Sequence, residues 1–370
     1  MPQPDETDVP DTISDPEDSW EVVGSAGRAV IDADEVDPAS RTYWEAEADT
    51  YQAEHGAFLA ERGALVVDPD AWIDRIDYQR TSGGGGEAGS GGGGFVWGPE
   101  GLTEAEAGLL GPVEALMGAR VLEVGCGAAQ CSRWLAERGV VAVGIDIAIA
   151  QLQHAAPHAG SRRVSADRVR SDPTRSRVGP SEPNAILNGA SEGGLGIGSG
   201  VAGRGAGEPK GRLEVLAASA TALPFRDAAF DLAFASYGAV QFVGDLPRLL
   251  AEVRRVLRPG GRWVFSVTHP IRWAFPDDPG PAGLTASGSY FDRTPYVERD
   301  GSGAAVYAEF HRTVADYVAA LVTAGFAIES IVEPEWPQWN DIAWGGWSPL
   351  RGTHLPGTLI IGCRADGRAG

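Results

Sequence analysis

Glu123, Gly125, Gly127 and Asp146 are the residues of this chain best spaced for chemistry, and all lie within Arg120 to Asp146, RVLEVGCGAAQCSRWLAERGVVAVGID. Glycines at 125 and 127 let the backbone turn sharply and approach a ligand with no Cβ in the way. An acid at the end of the next apolar run falls where a doubly wound α/β fold holds ribose hydroxyls. The spacing therefore predicts a ligand that contains a nucleoside. A dinucleotide would need G-x-G-x-x-G, so that its pyrophosphate can sit on a helix N-terminus. Here the run is Gly125-Cys126-Gly127-Ala128-Ala129-Gln130, without the third glycine. Glu123 would repel a pyrophosphate, but it suits a cationic ligand with an amino group, such as a sulfonium amino acid.

The elements that must hold these residues follow from apolar runs. Val121, Leu122 and Val124 lack polar alternation, as expected of a parallel strand covered on both faces. Cys131, Trp134 and Leu135 recur at helical spacing over 128–138, and Gly139 closes that helix. Val140 to Ile145 is a second strand, and 147–156 a helix. Leu213–Ala217, Phe230–Ser236 and Arg262–Thr268 are the third to fifth strands, with a helix closing at Val253–Pro259 before the last of these. Phe326–Val332 and Thr358–Cys363 are the last two. Helices are expected at Glu104–Met117 and at Tyr307–Ala324, the latter with Phe310, Val314, Tyr317, Val318 and Leu321 on one face.

The E-x-G-x-G run with its downstream acid resembles motif I of class I S-adenosylmethionine-dependent methyltransferases. A second set of blocks, ALPF, FDLAFAS and LAEVRRVLRPGGRWVFSV, is similar to the type 11 or ubiquinone/menaquinone-type group of those enzymes. The matching blocks stand in family order over 95–155 and 213–270. The resemblance implies an α/β, Rossmann-like doubly wound sheet of seven strands in the order 3-2-1-4-5-7-6, strand seven antiparallel. It implies S-adenosyl-L-methionine as cofactor and methyl transfer to a small-molecule acceptor. It also implies roles: Glu123, Gly125, Cys126 and Gly127 at the methionine end, and Asp146 on both ribose hydroxyls. Ile147 would pack on adenine, with Ser219 and Ala220 at its edge; Ser236 would line the methyl-transfer face, with Gln241 nearby. One position departs from the family, since Ser219 stands where an aspartate usually accepts from the adenine amino group. A serine accepts more weakly than a carboxylate.

Methyl transfer from a sulfonium mainly requires a positioned nucleophile and excluded water, so no enzyme nucleophile is needed. His269, at the end of strand five, is the first candidate for a base and Tyr237 the second. A histidine there would equally serve to orient a loop. No metal site is expected: Cys126 and Cys131 form a C-x4-C without a matching His or Cys cluster. Two other readings stay open, a non-catalytic cofactor-binding module and an NAD-dependent oxidoreductase of the same fold.

Composition divides the chain of 370 residues. Net charge is −21, and residues 1–40 hold twelve acids against Arg28 alone, which reads as a disordered acidic tail. That charge opposes attraction to nucleic acid or an anionic membrane. No apolar run has the length of a membrane span, and the acidic N-terminus is unlike a secretory signal, so a cytoplasmic location is expected. One lysine among 30 basic residues, with abundant Ala and Gly, fits a GC-rich, actinobacterial-type genome. Residues 41–80 form a helical segment whose Tyr43, Trp44, Tyr51, Phe58 and Leu59 suit either a lid over the cofactor or an amphipathic helix on the core. Residues 81–94 are a glycine-rich linker, and 95–364 are the methyltransferase domain, with a low-complexity insertion at 157–210. The connection before the last strand carries Trp336, Trp339, Trp344 and Trp347, either an aromatic wall for an apolar or cationic substrate or a flap packed on the sheet edge.

Overall fold

The computed structural model describes residues 23–64, 94–155 and 211–366. The expected glycine linker before Gly94, the 157–210 insertion and the first 22 residues lie outside the described residues.

Strand β1 (Val23–Arg28) is followed by helices α1 (Ala33–Ala46) and α2 (Ala48–Ala64). The central unit runs β2 (Arg120–Val124), α3 (Gln130–Glu137), β3 (Val141–Asp146), α4 (Ile149–Ala155), β4 (Arg212–Ala217) and β5 (Phe230–Ala235). Then come α5 (Leu246–Val256), β6 (Leu257–Thr268), β7 (Tyr296–Asp300), β8 (Ala305–Glu309), α6 (Val314–Thr323), β9 (Phe326–Val332) and β10 (Thr358–Ala365). Seven strands form one sheet in the order β4-β3-β2-β5-β6-β10-β9, with β10 antiparallel to both neighbours. Numbered within the sheet alone, this is the 3-2-1-4-5-7-6 order.

Burial on both faces explains why the central strands are largely apolar, with no polar alternation. Val121, Phe234 and Val264 pack on one face with Phe95, Trp97 and Trp134, while Leu122, Val124 and Phe265 pack on the other with Leu249, Val253 and Leu321. Each such side chain contributes about 1.5–3 kcal/mol when fully buried. Parallel pairing sets Asp146 beside Ala217 and Glu123 beside Gly144, so the acids and the glycine turn reach the same end of the sheet.

Several local expectations are corrected. Residues 23–40, expected in the disordered tail, form β1 and the start of α1. Their acidic composition cannot show that β1 finds its partner in β7, far along the chain, in a three-stranded sheet ordered β1-β7-β8. The 104–117 helix is a single turn, Glu104–Ala107, because Gly108 turns left-handed (φ 58°); a 3-10 turn, Val113–Leu116, follows Gly111-Pro112. The helix expected from Tyr307 begins only at Val314: Tyr307 and Glu309 belong to β8, and Thr313 caps α6 by accepting from Asp316 N–H. Leu257 already pairs in β6, with Arg258–Gly261 looped out before Arg262 resumes the register.

The helices α1 and α2 cross the end of the sheet where the acids lie. Glu45 Oε1 and Oε2 accept from Ile149 N–H (2.7 Å) and Ala150 N–H (2.8 Å), which fastens α1 to the start of α4. Gln52 on α2 donates to Gln151 Oε1 (3.3 Å) and accepts from Gln130 Nε2 (2.8 Å). Among the described residues, no helix is long and apolar enough to cross a membrane.

Candidate functional site

Past β2 the chain makes three left-handed steps, Gly125 (φ 70°), Gly127 (φ 50°) and Ala129 (φ 56°), before α3 begins. A Cβ on Gly125 would stand 2.5 Å from Ala239 Cβ, so the close approach of the loop after β5 requires glycine there. Asp146 ties the turn together: its Oδ2 accepts from Gly127 N–H (2.8 Å) and its Oδ1 from Ala148 N–H (2.9 Å). A carboxylate has about four lone-pair sites, so each oxygen can still accept a ligand hydroxyl. Burial pushes the Asp146 carboxyl up, while the Ala148 and Gly127 N–H groups pull it back.

Glu123 is 3% exposed, and its Oε2 accepts from Ser132 N–H (3.0 Å) in the first turn of α3. Burial raises its pKa to about 8, against the opposing bonds from Ser132. The folded protein therefore keeps this proton where the unfolded chain, with a glutamate pKa of about 4.3, has lost it. Stability from Glu123 is present at low pH and is lost as pH rises through about 8. Glu123→Gln mimics the protonated acid and removes that loss. In thermal melts, the variant's stability relative to wild type is expected to grow from about pH 5 to about pH 8. A difference that does not change with pH would overturn the assignment.

These groups border one cavity of about 1160 Å³, its open mouth included. Of the residues singled out from sequence, Glu123, Gly125, Cys126, Gly127, Asp146, Ile147, Ser219, Ala220, Ser236 and Tyr237 all line it. The Ser236 hydroxyl is committed, donating to Val96 O (2.5 Å), and so holds the wall formed by 94–98. Tyr237 has φ 59°, a conformation rare for a residue with a Cβ. It is held by its N–H donating to Ser266 Oγ (2.8 Å) and by Gln241 Nε2 donating to its carbonyl (2.7 Å). Burial pushes its phenol well above the ordinary range.

Two candidates stand elsewhere. Gln241 is not a lining residue; it is 4% exposed and positions the Tyr237 backbone. His269 is also outside the lining, and both ring nitrogens are engaged: Nδ1 accepts from Ile271 N–H (3.1 Å), and Nε2 meets Glu333 Oε1 (2.8 Å). With Nδ1 accepting, the ring proton sits on Nε2 and faces Glu333, so the histidine orients a loop and is not presented as a base. Burial lowers its pKa, with Glu333 opposing.

Sequence reasoning missed Asp37, Ser40 and Gln130 on the cavity wall, and it left Trp44, Tyr51 and Trp344 undecided between site and core. Asp37, Ser40 and Trp44 lie three and four residues apart, the spacing of one helix face, which was a readable signal. Among the described residues lining the cavity there is no Lys, Arg or His, and three acidic side chains are present: Asp37, Asp146 and Glu123, the last holding its proton below about pH 8. A pyrophosphate would find no cationic partner here. A sulfonium nucleoside with an amino group fits this set of side chains.

A family model described as a methyltransferase domain matches residues 200–265. A sterol 4-C-methyltransferase of Caenorhabditis elegans is 36% identical over 53 residues, 14% of this chain and 16% of the relative. The ubiquinone/menaquinone biosynthesis C-methyltransferase of Paracoccus denitrificans is 49% identical over 57 residues, 15% of this chain and 22% of the relative. The chain thus matches less than a quarter of the length of these curated relatives. An S-adenosylmethionine-dependent methyltransferase structure from Mesorhizobium loti is 25% identical with TM-score 0.47, covering 72% of this chain and 100% of the other. One from Methanosarcina mazei is 19% identical with TM-score 0.39, covering 68% and 94%. The methyltransferase-domain match runs from before β4 into β6, and the seven-strand order is the 3-2-1-4-5-7-6 order of a Rossmann-like doubly wound sheet.

Proposed function

We propose that this protein transfers a methyl group from S-adenosyl-L-methionine to a small-molecule acceptor. The observation that carries this reading is the cavity at the end of β2, β3 and β5, with Asp146 beside a glycine turn and no basic side chain among its described lining residues. When bound, the cofactor supplies an electrophilic methyl on a good leaving group. The chain's own residues then bind, orient and exclude water. Asp146 holds the ribose hydroxyls, Ile147 packs on adenine, and Ser219 and Ala220 meet the adenine edge. Gly125, Cys126 and Gly127 admit the methionine end, with Glu123 acting through α3. Tyr237 and the wall fastened by Ser236 line the methyl-transfer face. The helices α1 and α2 act as a lid, fastened by Glu45 and Gln52. A cytoplasmic location accords with three free cysteines, two of them buried.

Calorimetry with S-adenosylhomocysteine and with NAD separates this reading from an oxidoreductase. Binding of the former alone, with transfer of labelled methyl from S-adenosylmethionine into a small-molecule extract of the source cells, is the expected result. Binding of NAD alone would overturn it, and cofactor binding without turnover would favour a non-catalytic module.

A further inference from the structure

Beyond the glycine turn, the cavity is lined by the aromatic residues Trp44, Tyr51, Tyr237, Phe242 and Trp344. Trp44 meets Tyr51 (5.7 Å) and Phe242 (5.3 Å) edge to face, and Trp344 meets Tyr51 (6.3 Å) and Tyr237 (6.5 Å) in the same way. Half-buried Asp37 is the one carboxylate of the lining whose oxygens are not taken up by backbone N–H groups, for it has no bonding partner among the described residues. Two arginines of the described residues are committed elsewhere. Arg272 donates to both oxygens of buried Glu309 (3.1 Å each), and Arg312 donates to the carbonyls of Val240, Val243 and Gly244. His55 stacks on Trp344 (4.1 Å) without lining the cavity.

We propose that the methyl acceptor is an aromatic amine, modified on its nitrogen, with Asp37 as the carboxylate that faces the cation formed. The inference rests on the methyl-transfer reading and narrows its acceptor. A carboxylate or phosphate acceptor would bring an anion among acids, with no cation among the described lining residues to meet it. A phenol or alcohol would have to give its proton to a carboxylate, a much weaker base than the phenolate or alkoxide formed, because the lining phenols of Tyr51 and Tyr237 are held protonated by burial. A neutral amine brings its own lone pair. That pair forms the N–C bond as the S–C bond breaks, and sulfur keeps the S–C electrons as a neutral thioether. The nitrogen carries the positive charge until a proton leaves it for water. Aromatic faces and a carboxylate favour charge developing at that position.

The test is calorimetry on the full chain saturated with S-adenosylhomocysteine, using phenyltrimethylammonium as a mimic of the methylated amine and 3-phenylpropionate as an anionic aromatic counterpart. The cation is expected to bind about tenfold tighter. Asp37→Asn should remove most of that preference and leave S-adenosylhomocysteine affinity unchanged, which also reports an intact fold. Equal binding of the two probes, binding of neither at millimolar concentration, or a preference untouched by Asp37→Asn overturns the proposal. A chain that binds no S-adenosylhomocysteine overturns the methyl-transfer reading itself, and this inference with it.

Discussion

Asp146→Ala is expected to weaken S-adenosylhomocysteine binding about a hundredfold or more, measured by calorimetry. Two charge-assisted bonds to ribose hydroxyls are worth about 1.5–3 kcal/mol each, and about 2.7 kcal/mol already corresponds to a hundredfold. The same substitution frees Gly127 N–H and Ala148 N–H, which now donate to the carboxylate and shape the turn. Asp146→Asn keeps one acceptor oxygen and should fall between wild type and alanine. Unchanged affinity in a variant that still melts cooperatively would remove Asp146 from the site.

Gly125→Ala carries the largest expected effect on stability. A left-handed backbone costs an L-residue about 1–2 kcal/mol. The new methyl would stand 2.5 Å from Ala239 Cβ, with Ala239 Cα and the Gly238 carbonyl 3.3 Å away. Overpacking of this kind costs about 1–3 kcal/mol. The sum, about 2–5 kcal/mol, should lower the melting temperature by roughly 5–15 °C for a folded core of this size. Gly127→Ala is the internal control. Its φ is also positive, but the closest atom to its added Cβ is Gln151 Oε1 at 3.5 Å, so only the backbone cost applies. Equal destabilisation by the two substitutions would refute the steric argument.

The parts of the fold that were legible share a physical cause. Val121–Val124, Val141–Ile145 and Phe230–Ala235 are covered on both faces, so each is mostly apolar without polar alternation, with Glu123 and Asp231 as the exceptions. Strands of the small three-stranded sheet lack that imprint. β7 and β8 are half-exposed, and the face Phe310, Val314, Tyr317, Val318 and Leu321 drew the expected helix back to Tyr307, into β8. The capping box at Thr313-x-x-Asp316 was the local signal that α6 begins later. Gly108 and Gly111-Pro112 were the corresponding signals against a long helix after Glu104.

The candidate site divides along the same line. The glycine turn and Asp146 depend on backbone conformation and on neighbours in one β-α-β unit, so their place could be read from residue order. Gln241 and His269 follow β5 and β6, but their side-chain directions are set by Tyr237 O and Glu333, contacts that no local pattern encodes. Tyr51 and Trp344 meet across most of the chain, and Asp37 joins them because Glu45 fastens α1 to α4. Sequence alone therefore determined the central strands, the turn and the acid at its end, because short-range sterics and two-faced burial leave marks within a few residues. Tertiary structure alone decided which side chains enclose the cavity and which are spent on holding it, because direction and pairing depend on partners brought together only by folding.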